Sequence, residues 1–367
     1  MTARNDARRP RAPAVLALGL VLAGCAGGNG GAEPSPPAGS TPPAGAASPS
    51  PLASQPEPSR VDDTMFSNPV LDDNFADPFI LEVDGTYYAY ATGDLNVNIQ
   101  VARSPNLVEW EHLGEALPRL PNWQPSAKGL TWAPEVLATP AGFVMYYTGR
   151  DVQAGKQCIT TAVAATPEGP FVDDSEVPLI CQVDLGGSID GHPYLDGSTP
   201  WLIWKNDGNC CGMQTKLYAQ ELSADGLELV GDVHDLEIRN DAAWEGHVIE
   251  APTLHERDGT YYLFYSANAY DSGRYAVGYA TAPALLGPWQ KAEENPILES
   301  GGGAAGPGHQ DIVTGPGGEL WMAYHAWDPE RIGDSVLGRR ALWIDRLDFE
   351  DGRPVVRGPT EGPQPRP

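Results

Sequence analysis

Basic residues and long apolar runs are scarce in this sequence. Its 23 lysines and arginines stand against 49 aspartates and glutamates, which gives a formal net charge of −26. Nucleic acids and anionic lipid surfaces recruit proteins through basic patches, so this balance argues against both as partners and suits a neutral substrate. The apolar run over residues 12–23 is too short to cross a bilayer as a helix.

Cysteine is also rare, with five in 367 residues. No Cys-x-x-Cys pair and no Cys/His cluster occurs, which argues against metal binding by these thiols. Four cysteines lie beyond the N-terminal segment, and they allow three disulfide pairings between which the sequence does not decide. We expect Cys158 to pair with Cys181, because both lie in the outer half of one repeat described below. The other two, Cys210 and Cys211, are adjacent.

The first 25 residues have the features of an export signal. Four arginines precede the apolar run, and small residues follow it. The ending Leu-Ala-Gly-Cys resembles a bacterial lipobox, which implies that Cys25 is lipidated. The product would be an exported lipoprotein, anchored at the cell surface or facing the periplasm; an ordinary secretory signal is the alternative. Residues 26–64 consist mainly of Gly, Ala, Ser and Pro, a composition typical of a disordered tether.

A unit of two short strands joined by a glycine turn recurs five times between residues 65 and 358. The turn glycines are 57, 55, 62 and 59 residues apart, and no Pro/Gly/Ser-rich linker interrupts the series. They are Gly85, Gly142, Gly197, Gly259 and Gly318. A period of about sixty built from short strands predicts an all-β fold, a five-bladed β-propeller with four-stranded antiparallel blades. We therefore expect one domain over residues 65–358 and a disordered tail over residues 359–367.

Three carboxylates open three of the repeats. Asp77, Asp190 and Glu250 lie within one or two residues of the same register. Because the inner strands of a propeller converge on its axis, these side chains are predicted to face one pocket. Hydrolysis of a glycosidic bond requires two carboxyl groups, one protonated and one ionised, and a third would raise the pKa of the acid by repulsion. The pattern therefore predicts a glycosidase.

Five motifs in the repeats resemble glycoside hydrolase family 43, whose members are five-bladed propellers that act on arabinose- and xylose-containing plant polysaccharides with inversion. The motifs occupy residues 74–78, 131–135, 188–190, 249–252 and 308–310. The resemblance implies that Asp77 is the general base, Glu250 the general acid, and Asp190 the residue that tunes the pKa of the acid. Attack on α-L-arabinofuranosyl linkages by a monomer is the expected activity.

Other assignments of the carboxylates stay open. Glu245 lies five residues before Glu250 and competes for the acid role, although the glycine after it is typical of a turn. Asp77 precedes a proline and Asp190 a glycine, so each also suits a turn. Glu135, in the second repeat, has no assigned role.

Further residues at the mouth of the pocket are candidates for substrate binding. Trp132 opens the second repeat, and its indole face suits stacking on a sugar, although a core position is the alternative. The resemblance implies that His309 helps to hold an ion near the acid, often calcium through a shell of waters. Calcium prefers oxygen ligands, and a histidine satisfied by neighbouring hydrogen bonds is the alternative. No cofactor is expected for the chemistry itself. His325, Arg339 and Arg340 follow in the same repeat, where the family places an arginine near substrate hydroxyls, and the sequence leaves open which arginine faces inward.

The sequence leaves the substrate open, because loop lengths at a propeller mouth decide it. A β-xylosidase or an arabinoxylan-debranching enzyme is the nearest alternative, and endo and exo action are not distinguished. The related fructan-cleaving family is disfavoured, because Ala-Asp-Pro-Phe at residues 76–79 and Glu-Ala-Pro at residues 250–252 replace its expected motifs. A non-catalytic surface protein that binds glycans is the alternative of another class, disfavoured because all three carboxylates are present.

Overall fold

The structure, a computed structural model, describes residues 63–367. The expectations for the signal over residues 1–25, for lipidation at Cys25 and for the tether up to residue 62 lie outside the described residues. Within residues 63–367, no helix is long and apolar enough to cross a membrane. This part of the chain is mainly β-structure. Its 3-10 helices are Val183–Leu185, Gly208–Cys211, Ala243–Glu245 and Asp334–Val336.

A short strand, β1 (Met65–Phe66), comes before the blades and belongs to none of them. Five antiparallel sheets then follow one another along the chain, and each forms a blade whose first strand is innermost. Blade 1 consists of β2 (Phe79–Val83), β3 (Thr86–Thr92), β4 (Ile99–Ser104) and β5 (Glu111–Glu115). Blade 2 consists of β6 (Trp132–Thr139), β7 (Gly142–Asp151) and β8 (Lys156–Ala164). Blade 3 consists of β9 (Ser188–Asp196), β10 (Thr199–Asn206), β11 (Lys216–Leu222) and β12 (Leu229–Arg239). Blade 4 consists of β13 (Ile249–Arg257), β14 (Thr260–Ala267), β15 (Ala276–Ala282) and β16 (Gln290–Lys291). Blade 5 consists of β17 (Ala305–Thr314), β18 (Leu320–Trp327), β19 (Arg340–Glu350) and β20 (Arg353–Val356).

The predicted five-bladed propeller is therefore confirmed. Blade 2 departs from the four-stranded pattern, because its outer position is occupied only by isolated bridges, Val163 with Val172 and Ile159 with Ile180. The expected Cys158–Cys181 disulfide is present and ties β8 to the segment that leads into blade 3.

The hairpins form because their turns carry the residues that tight turns require. In blade 1, Asp84 and Gly85 both have positive φ angles, 50° and 78°, and in blade 4 Asp258 and Gly259 have 53° and 79°. Two positive φ angles in a two-residue loop match the twist of the flanking antiparallel strands. The inner strand of each blade is thereby fixed against its outer neighbour.

Apolar clusters between neighbouring blades hold the ring together. There are five among the described residues, one for each pair of adjacent blades. The cluster between blades 2 and 3 contains the buried rings of Tyr146 and Trp204, and the one between blades 4 and 5 contains Phe264 and Tyr324. Each such side chain contributes roughly 1.5–3 kcal/mol through burial. Every blade takes part in two clusters, so the starts of the inner strands have fixed positions around the axis.

The C-terminal segment, expected to be a disordered tail over residues 359–367, is instead ordered against blade 5. A strand β21 (Gln364–Pro365) pairs with β1. The side-chain amide of Gln364 donates to the buried carboxyl of Asp345 at 3.2 Å, and the Arg366 N–H donates to the Thr64 carbonyl at 3.0 Å. The composition of this segment conceals these contacts, because they depend on partners far away in the sequence.

Candidate active site

Every blade has a residue with left-handed backbone conformation near the start of its inner strand, either shortly before the strand or within its first five residues. Their φ angles lie between 45° and 57°, a region that costs a non-glycine residue about 1–2 kcal/mol. These residues are Asp77, Ala133, Asp190, Ala251 and His309. The same turn, repeated in five blades, brings equivalent positions together at one end of the propeller axis.

In four blades a side chain of the preceding blade accepts a hydrogen bond from the N–H of this left-handed residue. The pairs are Thr92 Oγ1 with Ala133 (2.9 Å), Thr148 Oγ1 with Asp190 (3.3 Å), Ser266 Oγ with His309 (2.7 Å) and His325 Nδ1 with Asp77 (3.1 Å). Blade 4 is the exception. The equivalent residue of blade 3 is Lys205, whose ammonium has no lone pair, and the Ala251 N–H donates to Asp190 Oδ2 at 3.0 Å.

Asp77 lies among cationic and hydrogen-bonding groups. Its Oδ1 accepts from Arg340 Nη1 at 2.8 Å and its Oδ2 from the Thr92 hydroxyl at 2.5 Å. The Nδ1 atoms of His309 and His325 lie 3.4 and 3.3 Å from Oδ1. Burial raises the pKa of the Asp77 carboxyl, but Arg340 and the two histidines outweigh burial and hold this pKa well below its usual range. Asp77 is therefore an ionised carboxylate at neutral pH.

Glu250 has one partner on each carboxylate oxygen. Lys205 Nζ lies 3.1 Å from Oε2, and the Tyr275 hydroxyl donates to Oε1 at 2.8 Å. The Lys205 side chain is fully buried, whereas that of Glu250 keeps 12% of its surface exposed. The carboxyl group is thus held in place while one part of it remains accessible from the pocket.

Glu245, the other candidate for the acid role, is a buried residue that stabilises the fold. It is fully buried and pairs with Lys291 Nζ at 2.6 Å. The Tyr265 hydroxyl donates to the same oxygen at 2.8 Å, and the N–H groups of Asp241 and Ala242 donate to the other at 2.8 Å each. A carboxylate that is enclosed and accepts this many hydrogen bonds cannot reach a substrate.

Asp190 links the third and fourth blades. Its Oδ2 fixes the backbone of Ala251, the residue that follows Glu250. Burial raises the pKa of Asp190 to about 6; the negative charges of Glu250 and Asp77 add to the rise, while His309 and Lys205 oppose it. Asp190 therefore changes its charge close to pH 6, in contact with the backbone that carries Glu250.

The structure places three of the predicted substrate-binding residues at the same end of the axis. Trp132 is partly exposed and precedes Ala133 just as Glu250 precedes Ala251, so it is the equivalent of Glu250 in blade 2. His309 is buried beside Asp77. Arg340 is the arginine that faces inward, because its guanidinium pairs with Asp77.

Two predicted substrate-binding residues do not reach the pocket surface. His325 is fully buried, stacked against Tyr275 with ring centroids 5.7 Å apart, and burial lowers its pKa to about 4. As a neutral imidazole, it accepts a hydrogen bond from the Asp77 N–H through Nδ1. Arg339 points outward with its side chain 53% exposed, and pairs with Asp72 at 3.1 Å. Arg339 precedes β19 and Arg340 is its first residue; their side chains point in different directions, and only that of Arg340 pairs with Asp77.

Sequence reasoning missed Lys205 and Tyr275. Lys205 had a signal: it lies fifteen residues after Asp190, as Thr92 lies fifteen after Asp77. Tyr275 lies in the segment before β15 and had none. Glu135, left unassigned, pairs with His192 Nδ1 at 2.6 Å and is a buried structural residue.

The side chains at the axis do not form a protein-made calcium cage. Within residues 63–367, no group of three or more His, Cys, Asp or Glu side chains could hold a metal ion. Calcium takes six to eight oxygen ligands, whereas His309 offers nitrogen and the nearby Asp77 oxygens already accept hydrogen bonds from Arg340 and Thr92.

Comparison with known proteins places this geometry in a family. Residues 66–354 match the model described as "Glycosyl hydrolases family 43". A crystal structure described as a thermostable family-43 glycoside hydrolase is 37% identical, with a TM-score of 0.75 over 82% of this chain and 99% of that chain. A probable arabinan endo-1,5-alpha-L-arabinosidase C of Aspergillus flavus is 27% identical over 74% of this chain and 88% of its own length. The beta-D-galactofuranosidase xynD of Aspergillus niger is 26% identical over 80% of this chain and 85% of its own. The chain therefore belongs to glycosyl hydrolase family 43 and is an inverting glycosidase.

Proposed function

We propose that this protein hydrolyses α-L-arabinofuranosyl linkages in arabinose-containing plant polysaccharides or oligosaccharides. The observation that carries the proposal is the cluster of Asp77, Asp190 and Glu250, three carboxyl groups in three different environments at one end of the axis. The similarity to an arabinan arabinosidase supports arabinose as the sugar. β-Xylosidase or arabinoxylan-debranching activity is the second candidate within the same chemistry.

In the proposed mechanism Asp77 is the general base and Glu250 the general acid. Asp77 takes a proton from a water molecule as the water oxygen attacks the anomeric carbon. Glu250 gives its proton to the glycosidic oxygen as the bond from that oxygen to the anomeric carbon breaks, and the bonding electron pair stays on the oxygen. The low pKa of Asp77 keeps its carboxylate ionised before the reaction begins, which a general base requires.

The partners of Asp77 give the base a single orientation. Arg340 engages one oxygen and Thr92 the other, so the carboxylate is held in one rotamer against the incoming water. Because the carboxylate is already oriented, it loses little conformational entropy when the transition state forms, and the barrier is lower. We propose that Trp132 stacks on a sugar ring at the mouth and that His309 and Arg340 face substrate hydroxyls.

Asp190 has a different proposed role. Its carboxyl holds the backbone next to Glu250, and its negative charge opposes loss of the proton from a neighbouring acid. We propose that it positions the acid and sets the pH range over which the acid keeps its proton.

A substrate panel tests the proposal. Aryl α-L-arabinofuranoside, aryl β-D-xyloside, aryl β-D-galactofuranoside, linear arabinan and arabinoxylan should be compared by kcat/KM. We expect the arabinofuranoside and arabinan to be cleaved fastest, and product lengths from arabinan to distinguish endo from exo action. Preference for the xyloside would transfer the assignment to the second candidate. No release of reducing sugar from any member would leave only a glycan-binding role.

Location, assembly and cofactors remain proposals. We propose a monomer anchored through a lipid on Cys25, so that the Cys25→Ser variant is released from membranes while the unaltered protein partitions with them. We propose that the chemistry needs no cofactor. A calcium ion near His309 would have to be held largely through water, and loss of thermal stability on chelation would be its sign.

A further inference from the structure

Lys205 breaks a pattern that the other four blades keep. Thr92, Thr148, Ser266 and His325 each accept a backbone hydrogen bond from the next blade. Lys205, at the equivalent place in β10, cannot accept, and Asp190 has taken over this bond to Ala251. The substitution of a cation for an acceptor thus leaves the backbone satisfied and frees the ammonium for another contact.

The ammonium of Lys205 makes that contact with Glu250. Its Nζ lies 3.1 Å from Glu250 Oε2 and 2.7 Å from Asn209 Oδ1, and none of the side chain is exposed. A buried lysine is costly unless it is paired and hydrogen-bonded. Asn209 belongs to the 3-10 helix at Gly208–Cys211, next to the disulfide between the adjacent residues Cys210 and Cys211. It is exposed, so it holds the ammonium from the solvent side.

Several charged groups surround the same carboxyl group, and Lys205 is the cation in contact with it. Tyr275 donates to the other oxygen. The other titratable groups that act on this cluster are Asp77, Asp190, Asp207 and His309, with the cations Arg340 beside Asp77 and Lys156 near Asp207. The three aspartates carry negative charge when ionised, so without Lys205 the cluster would strongly oppose the negative charge that forms on an acid as it gives up its proton.

We propose that Lys205, held in place by Asn209, is the positioning residue of the general acid and balances the negative charge left on Glu250 when its proton passes to the glycosidic oxygen. The proposal rests on the proposed role of Glu250 as the acid. Lys205 and Asp190 then act in opposite directions on one proton: Asp190 favours its retention, and Lys205 favours its transfer.

The decisive experiment compares Lys205→Met with the unaltered enzyme on two substrates. Arabinan has a poor leaving group and needs proton transfer; 2,4-dinitrophenyl α-L-arabinofuranoside needs little. We expect kcat/KM on arabinan to fall roughly 100-fold, with only a few-fold loss on the dinitrophenyl substrate. The alkaline limb of the pH profile should move to higher pH, because a cation that favours ionisation has been removed.

Asn209→Ala keeps the test independent of folding, because Asn209 is exposed. It should change the two substrates in the same unequal manner, with a loss of roughly tenfold on arabinan, and move the alkaline limb in the same direction. Lys216→Met is the matched control. It removes the same charge from the next strand of the same blade, where Lys216 pairs with Asp235 at 2.7 Å, and should alter neither profile.

Equal losses on both substrates, or an unmoved alkaline limb in both Lys205→Met and Asn209→Ala, would overturn the proposal. Glu250→Gln, measured in parallel, separates this failure from failure of the acid assignment. If Glu250→Gln itself slows both substrates equally, the acid lies elsewhere and the role of Lys205 is refuted with it. If Glu250→Gln spares the dinitrophenyl substrate but the Lys205 and Asn209 variants do not, only the role of Lys205 is refuted.

Discussion

Replacement of Asp190 by asparagine should make the enzyme slower and, above pH 6, more stable. Burial raises the pKa of Asp190 from 3.8 to about 6, so the folded protein resists ionisation of this group while the unfolded chain does not. The folded-state pKa is the higher one; the stability that the protonated group provides is therefore complete below about pH 4 and is lost as the pH rises through 6. A difference of roughly two pKa units corresponds to about 3 kcal/mol.

The Asp190→Asn variant is isosteric and never ionises, so it should not lose this stability. Urea unfolding at pH 4 should give similar free energies for both proteins, and at pH 8 the variant should be more stable by up to about 3 kcal/mol. In the same variant kcat/KM on arabinan should fall, and the alkaline limb should move down by about one pH unit, because a negative neighbour of the acid is gone. A stability difference that is the same at both pH values would refute the placement of Asp190 as a buried, titrating neighbour of the acid.

The other substitutions separate the roles of the site residues. Asp77→Asn should lose most activity at every pH, roughly 1,000-fold or more on any glycoside, because no other group is placed to activate the water; proton NMR of the first sugar formed by the unaltered enzyme should show inversion. Glu250→Gln should slow arabinan far more than a dinitrophenyl glycoside, whereas Glu245→Gln should leave that ratio unchanged and destabilise the fold by roughly 3–5 kcal/mol in urea unfolding, since it breaks a buried ion pair. Arg340→Met should raise the pKa of Asp77 and move the acidic limb of kcat/KM to higher pH, and Arg339→Met should not, because Arg339 pairs with Asp72 outside the pocket.

The fold was predictable because the blades of a propeller repeat, so their sequence features recur at a regular spacing. Each blade needs the same turn and the same apolar strands, so Gly85 and Gly259 recur in equivalent surroundings. The three carboxylates followed from the same register, because equivalent positions of the inner strands meet at the axis. The register of the repeats can be aligned to within about two residues from the sequence, and this precision was sufficient to predict that Asp77, Asp190 and Glu250 lie close together.

What escaped prediction depends on contacts between blades or on the direction of a side chain. Arg339 and Arg340 could not be told apart, because one residue of uncertainty in a strand reverses the face of the sheet. His325 lies close to Asp77 but is fully buried, so it does not reach the pocket surface. The residues next to it in sequence do not reveal this burial. The C-terminal segment is ordered by Asp345 and Thr64, residues that no local pattern connects with it.

The pairing of β1 with β21 fixes the side of the propeller from which the chain enters. The ring of Phe66 in β1 packs on Trp321, with centroids 5.8 Å apart, and Trp321 lies just after the hairpin turn at Gly318. Hairpin turns close the inner strands at the end opposite Asp77 and His309. Strand β1 therefore lies at the closed end of the ring, and the carboxylates lie at the open end. A long polymer can therefore reach the carboxylates at the open end of the ring without displacing β1 and β21 from the closed end.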